Sequence, residues 1–492
     1  MHSASLPITV KNGSVEPALE RLAAGALYIT YQMLSILLSV TTCEYILGTS
    51  SLGRISPLIW SLRKAYGRFL PFLSQKHLHG TCVIRILELR KSRLGALAVV
   101  NSSRLSRMLL FSAIFPLIFL FSSRPDSQRE TAGHRNRVRT YYVAAEEVDW
   151  DYALSGQNDA MGRPFDDFEK NYMDSGPHKI GRVYKKAVYR EYADARFATL
   201  KPRSSEEQYL GILGPILRAE VGDTIKVFFK NKASRPYSMH PHGVLYQKSS
   251  EGSEYNDGTA GEDKADDAVA PGATQIYVWE VSERAGPAAN DGSSVVWLYH
   301  SHVDELRDVA SGLFGTIIVT ARGKAREDGH PTDVDREFVT ILITINENES
   351  WYLEENIQRF TSDPKGVNRS ESIAAGPQGE TAASLGRGFA DTNLRNTING
   401  YMFGSAPSMT MKKGERVRWY LVTLGDTNNF HTPHWHGNDV IHDGHRTDVV
   451  ALSPAQMETV DMVPDNPGIW LYHCHISDHM AGGMVTRYEV KP

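Results

Sequence analysis

Beyond residue 139 the hydrophobic positions fall in short runs of Val, Ile, Tyr and Phe, each closed by Gly, Pro, Asn or Asp. RTYYVAAEEVDW, GDTIKVFFKN, ATQIYVWEV, GTIIVTA, REFVTILITI, ERVRWYLV and TRYEV are examples. Short alternating runs, frequent turn residues and few helical stripes predict strands packed into β-sandwiches. About 350 residues have this texture, room for two sandwiches in tandem. We place the domains at residues 140–325 and 335–492, divided near the polar, strand-free stretch ARGKAREDGHPTDVD, Ala321–Asp335.

Residues 1–139 are patterned differently. Apolar stretches such as Ala24–Val40 are broken by Thr, Ser, Tyr and Gln, and basic residues are scattered without a helical stripe, so residues 1–107 predict no defined domain. The better-formed feature is Leu109–Phe121 (LLFSAIFPLIFLF), thirteen mostly apolar residues preceded by Arg104 and Arg107. Thirteen is short of the ~20 that span a bilayer as a helix. The run suits the h-region of a secretory signal, followed by SSRPDS. It lies late for a signal, and Met108 directly precedes it. We therefore expect translation to begin there, leaving residues 1–107 unexpressed; a signal anchor within 108–123 or an organelle-targeting presequence is the alternative. The expected location is secreted or extracytoplasmic, at the cell surface, with membrane association where the segment is retained.

Charge separates the same two pieces. The whole chain, 492 residues, carries a formal charge of -4, which implies no nucleic-acid-binding face. Residues 1–139 hold 18 Lys+Arg against 6 Asp+Glu, or +12, leaving 35 against 51, or -16, for the remainder. Of the 18 histidines, 14 follow residue 139. Cysteine is limited to Cys43, Cys82 and Cys474, so the acidic part holds no internal disulfide and a disulfide-stapled scaffold is excluded.

The acidic part repeats itself. Its first half reads GDTIKVFFKN, then His240-Pro-His242-Gly243, then Trp297-Leu-Tyr-His300-Ser-His302, then SGLFGTIIV. Its second half reads GERVRWYLV, then His434-Trp-His436-Gly437, then Trp470-Leu-Tyr-His473-Cys-His475, then AGGMVTRYEV. One ancestral module has been duplicated. In a strand, residues i and i+2 share a face, so each His-x-His presents two imidazoles side by side. Neutral imidazole is a ligand for copper, zinc and iron. A single pair is weak evidence: His77-Leu-His79 has no partner pair and no strand context, and we read it as coincidence. Four pairs at matching places in a duplicated module point to metal.

Cys474, between His473 and His475, points to the opposite face, into its own sandwich. His431 and His479 can join it there, with Met484 following. Two His, a thiolate and a weak axial Met make a blue-copper electron-transfer site. The first half lacks one: Ser301 takes the cysteine slot, Tyr237 the place of His431, and Leu313 falls where Met484 would.

These strings resemble the four copper motifs of the multicopper oxidases. YYVAAEEVDWDYA, GRVYKKAVYREY, GILGPILRAEVGDTIKV, NENESWYLEENI, INGYMFG and NPGIWLYHCHISDH are similar in particular to the ceruloplasmin–hephaestin branch. The likeness covers Tyr141 to Val490 and leaves out residues 1–139. It implies an all-β fold, two cupredoxin-like Greek-key β-sandwich domains in tandem, and four coppers per chain. His431, Cys474, His479 and Met484 would hold type 1; His240 and His434 type 2; His242, His300, His302, His436, His473 and His475 the type 3 pair. Electrons from a reductant would pass through Cys474 into His473 and His475, four of them reducing O2 to water. Ceruloplasmin-like chains have six such domains and this one has two, so we expect a homotrimer with each cluster spanning two subunits, as in two-domain laccases.

In that branch an Fe(II) site of carboxylates and a histidine lies beside the type 1 copper. Asp478 matches one acid and Asp391 falls where another stands, whereas Asn396 replaces the histidine. Hard carboxylates suit iron or manganese better than a phenol. The leading expectation is thus a ferroxidase with a role in iron homeostasis; the alternatives are a laccase-like oxidase of phenols, aromatic amines, Mn(II) or Cu(I), and a non-catalytic copper-binding protein. A copper nitrite reductase would carry its type 1 site in the first domain, the reverse of this chain. Asp478 competes with a role orienting His479, and Asp391 with an ordinary loop acid. Asn348-Glu-Ser350 and Asn368-Arg-Ser370 are glycosylation sequons. His442 and His445 are expected at the surface, and the acidic stretch Glu251–Asp267 as a solvated loop.

Overall fold

Alternation along the chain decides which side of each strand is buried. In Thr224–Asn231 (TIKVFFKN), Ile225, Val227, Phe229 and Asn231 are buried while the residues between them are half-buried. The computed structural model describes residues 136–372, 387–424 and 430–492. The signal-like run at 108–123, the pair His77 and His79, and nearly all of segment 1–139 lie outside them.

Four sheets result. In the first half, Val183–Glu191, Val138–Asp151, Thr224–Asn231, Thr274–Glu280 and Leu245–Tyr246 are neighbours in that order. Facing them, Leu217–Glu220, Phe314–Thr320, Ser294–His300 and His240–Pro241 form a four-stranded sheet. The second half repeats both. Its larger sheet runs Leu394–Ile398, Arg336–Asn346, Val417–Val422, Met457–Met462, Val440–His442 and His445–Thr447; its smaller one runs Met409–Lys412, Val485–Lys491, Gly468–Cys474 and Pro433–Trp435. In each half a parallel pairing joins the first strand to a later one, Val138–Asp151 to Thr224–Asn231 and Arg336–Asn346 to Val417–Val422. Such crossed, mixed pairing is what a Greek-key cupredoxin sandwich requires, and the matching strand orders are the duplication in three dimensions.

Some strands read as continuous apolar runs because they serve two cores. On Phe314–Thr320, Ile317 and Val319 enter the first-half core, while Phe314 and Ile318 pack with second-half residues such as Phe338, Ile341 and Trp419. Burial on both faces removes the polar alternation. The seam also holds charge: Lys186 and Glu347, both fully buried, meet at 2.5 Å. A short helix follows the second His-x-His of each half, Glu305–Ser311 and Ser477–Ala481. Among the described residues no helix is long and apolar enough to cross a membrane.

Candidate metal centre

The second-half histidines are brought together by strand register. Pro433–Trp435 pairs antiparallel with Gly468–Cys474, setting His434 opposite His473 and Pro433 opposite Cys474. Residues directly opposite share a face, and the two rings lie 5.2 Å apart. His436 Nε2 lies 2.9 Å from His473 Nε2, and the His475 ring is 5.1 Å from that of His434. The first half repeats the construction. His240 stands opposite His300, His242 Nε2 lies 3.1 Å from His300 Nε2, and the His302 ring is 5.2 Å from that of His240.

Hydrogen bonds fix which nitrogen of each ring is available. A carbonyl only accepts, so Nδ1 donates where it meets one and Nε2 keeps the lone pair. His240 Nδ1 donates to Glu251 O at 2.7 Å and His300 Nδ1 to Ser301 O at 3.1 Å. His434 Nδ1 donates to Asp448 O and His473 Nδ1 to Cys474 O, each at 2.9 Å. Burial, with the neighbouring rings, pushes His242 down to about 4. Burial also takes His300 down to about 3. His240, His436 and His473 are lowered for the same first reason. These are neutral donors at physiological pH, the state a metal needs. Among the described residues the ring contacts run within each set of four, none between the sets.

Cys474 faces away from this set. Its sulfur and the ring nitrogens of His431 and His479 lie within 4.8 Å of one another, and Sγ is 3.6 Å from His479 Nδ1. Cys474 and His431 are fully buried. Two backbone bonds with Leu452 hold His431 in place. Thr432 N–H donates to the sulfur at 3.4 Å. Burial pushes the thiol up, but hydrogen bonds from His431, His479 and the backbone of Thr432 and Ile476 outweigh it and bring it down to about 5. A thiolate with two imidazoles is a donor set for copper. Met484, also buried, is tied in by its backbone: Cys474 N–H donates to Met484 O at 3.1 Å, and Met484 N–H to His479 O at 2.9 Å.

In the first half the matching pocket is closed by hydrogen bonds. Ser301 Oγ donates to Asp308 Oδ2 at 2.7 Å, and Trp351 Nε1 donates to the other oxygen at 2.9 Å. Tyr237 Oη lies 3.0 Å from Tyr352 Oη, and Leu313 is buried.

The acids gather near one phenol. Asp478 is exposed on the helix bearing His479, and Asp391, on Phe389–Thr392, accepts from Ser372 at 2.7 Å. Burial raises the Tyr172 phenol, and the charges of both Asp391 and Asp478 raise it further. Asn396 is buried, accepts from Thr344 Oγ1 at 2.7 Å, and its amide nitrogen abuts Gly482 at the end of the Asp478 helix.

Two expectations need correction. Glu251–Asp267 is no merely solvated loop: Glu251 O holds His240, Ser253 Oγ lies 3.0 Å from His302 Nδ1, and Asp266 is fully buried, accepting from Gly252 N–H. Its charge is met within the loop and by Lys248 and Lys264. His442 is half-buried and bonded to Glu458 at 3.0 Å, whereas His445 is exposed. Of the sequons, Asn368 is exposed, while the Asn348 amide is engaged with Asn346, Ala390 and Asn393.

Known proteins share this organisation. Multicopper oxidase family models match residues 207–324 and 375–492. Ferroxidase HEPHL1 of Homo sapiens is 43% identical over 356 residues, covering 72% of this chain and 29% of the relative. Hephaestin of Homo sapiens is 40% identical over 358 residues, 72% of this chain and 29% of its own. Ceruloplasmin of Homo sapiens is 37% identical over 357 residues, 72% and 30% respectively. The chain thus spans under a third of the length of these relatives. A solved multicopper oxidase structure aligns over 72% of this chain and 90% of its own, with 18% identity and a TM-score of 0.44. With duplicated sandwiches, eight paired imidazoles and a thiolate site in the second half only, the chain belongs to the multicopper oxidases, in their ceruloplasmin–hephaestin branch.

Proposed function

We propose that this chain is a ferroxidase, coupling one-electron oxidation of Fe(II) to four-electron reduction of O2 to water. The observation that carries the reading is the joining of two donor sets through one residue. Cys474 groups with His431 and His479, while the adjacent His473 groups with His434 and His436. Copper bound in these sets supplies one-electron transfer at the thiolate site and O2 reduction at the histidine cluster. We assign His431, Cys474, His479 and Met484 to type 1, His240 and His434 to type 2, and His242, His300, His302, His436, His473 and His475 to type 3, four coppers per chain.

The residues prepare the site. Backbone carbonyls fix the imidazole tautomers, burial keeps the rings neutral, and Thr432 steadies the thiolate. Neighbouring strand residues on opposite faces leave only a few covalent bonds between the two sets. Asp478 and Asp391 gather the Fe(II) substrate beside His479, hard oxygens for a hard cation. Asn396, an amide in the place of a histidine, favours the second reading, oxidation of phenols, aromatic amines, Mn(II) or Cu(I).

Within this reading residues 140–325 and 335–492 are the two domains. Separate ring contacts within each set, with His475 exposed, support clusters completed between copies in a homotrimer. The chain works secreted or at a membrane surface. Copper content, blue colour and sedimentation test this together: four coppers per chain in a blue trimer is expected. A fully loaded monomer would remove the trimer, and a colourless protein without copper would remove the oxidase.

A further inference from the structure

Glu305 belongs to none of the motifs above, yet its carboxylate faces the first-half histidines. Its Oε2 lies 3.4 Å from His302 Nε2 and its Oε1 3.9 Å from His300 Nε2. The other nitrogens of those rings are already engaged, His300 Nδ1 by Ser301 O and His302 Nδ1 by Ser253 Oγ. Glu305 therefore meets the two nitrogens left to bind metal, one carboxylate oxygen to each. The internal repeat adds a second observation. Glu305 stands three residues after His302 as Asp478 stands three after His475, each in the first turn of the short helix that follows. In the second half this acid sits beside the thiolate site. The first half has no thiolate site, and its acid turns to the cluster imidazoles instead.

We propose that Glu305 is an oxygen donor to the copper held by His300 and His302, a carboxylate ligand added to an otherwise all-histidine cluster. The assignment rests on the copper reading above. Its charge reaches further: it also acts on His240 and His242, favouring their cationic forms, as an anion at the centre of the first-half set must. The side chain is half exposed, so it can adjust to a bound cation without repacking.

The test uses the full copper-loaded protein and Glu305→Gln, which keeps size and helix propensity. Copper is withdrawn by a graded copper chelator, with metal content, the blue thiolate–copper band and the electron paramagnetic resonance of the cluster copper followed together. Wild-type copper content and colour test the oxidase reading by themselves; the variant-to-wild-type ratio tests Glu305. The expected result is cluster copper lost to chelator about 10-fold or more readily, an altered cluster resonance and an unchanged blue band. Chelator resistance within about twofold of wild type would overturn the assignment. So would parallel loss of the blue band and cluster copper, which would mark a general effect on the fold.

Discussion

Replacing Lys186 with Met tests the seam that joins the two halves. Lys186 lies on Val183–Glu191 and Glu347 just beyond Arg336–Asn346; both side chains are fully buried. The ammonium donates to Glu347 Oε1 and to Ala310 O, each at 2.5 Å, and Tyr152 Oη donates to the same carboxylate oxygen at 2.5 Å. The other oxygen of Glu347 is buried without a hydrogen bond. Burial lowers the Lys186 pKa and Glu347 opposes it, so each partner depends on the other to stay charged. Met fills the same space but leaves a carboxylate buried with one phenol for support. Breaking a buried pair this way costs about 3–5 kcal/mol. Replacing both partners, Lys186→Met with Glu347→Gln, leaves no charge and is expected to return to within about 1 kcal/mol of wild type. Urea unfolding of the metal-free protein followed by tryptophan fluorescence measures both, provided the slopes agree. A single variant costing under about 1 kcal/mol, or a double variant as damaged as the single, would refute the reasoning.

Other consequences follow from named contacts. Glu337 is held down to about 2, its burial outweighed by Arg218, His330 and Tyr420; its folded pKa is depressed, so its stabilisation is present above about 4.5 and is lost as pH falls toward 2. Acid titration of stability should show that slope, about 3 kcal/mol in all, and Glu337→Gln should flatten it; an unchanged slope contradicts the assignment. Cys474→Ser should abolish the blue band and oxidase activity while leaving cluster copper in place, as metal analysis would show. Ser253→Ala removes the partner of His302 Nδ1 and should weaken cluster copper about 10-fold in chelator competition, with no change at the thiolate site.

How much of this was legible in the sequence differs from residue to residue. The four His-x-His pairs and Cys474 could be read because strand geometry converts spacing directly into facing: i and i+2 share a surface whatever the tertiary structure. The duplication could be read because both halves keep the same motif order. Glu251 and Ser253 could not, since one acts through its backbone carbonyl and the other as a lone hydroxyl, and neither carries a spacing signal. The acidic run hid them, its charge suggesting solvent when its lysines and buried Asp266 neutralise or enclose it. Lys186 and Glu347, 161 positions apart, look like two ordinary surface charges until the sandwiches pack. Phe314–Thr320 reads as a strand from its Val and Ile content, but its second buried face becomes evident only when the other half is against it.

The central claim is Fe(II) oxidation at a carboxylate site beside His479. The direct measurement is O2 uptake by the copper-loaded protein with Fe(II), corrected for autoxidation, against a bulky phenol, with Asp478→Ala alongside. The account predicts four Fe(II) consumed per O2, a preference for Fe(II) over the phenol, and loss of that preference in the variant with the blue band intact. Phenol preference, or an Fe(II) rate indifferent to Asp478, would contradict it.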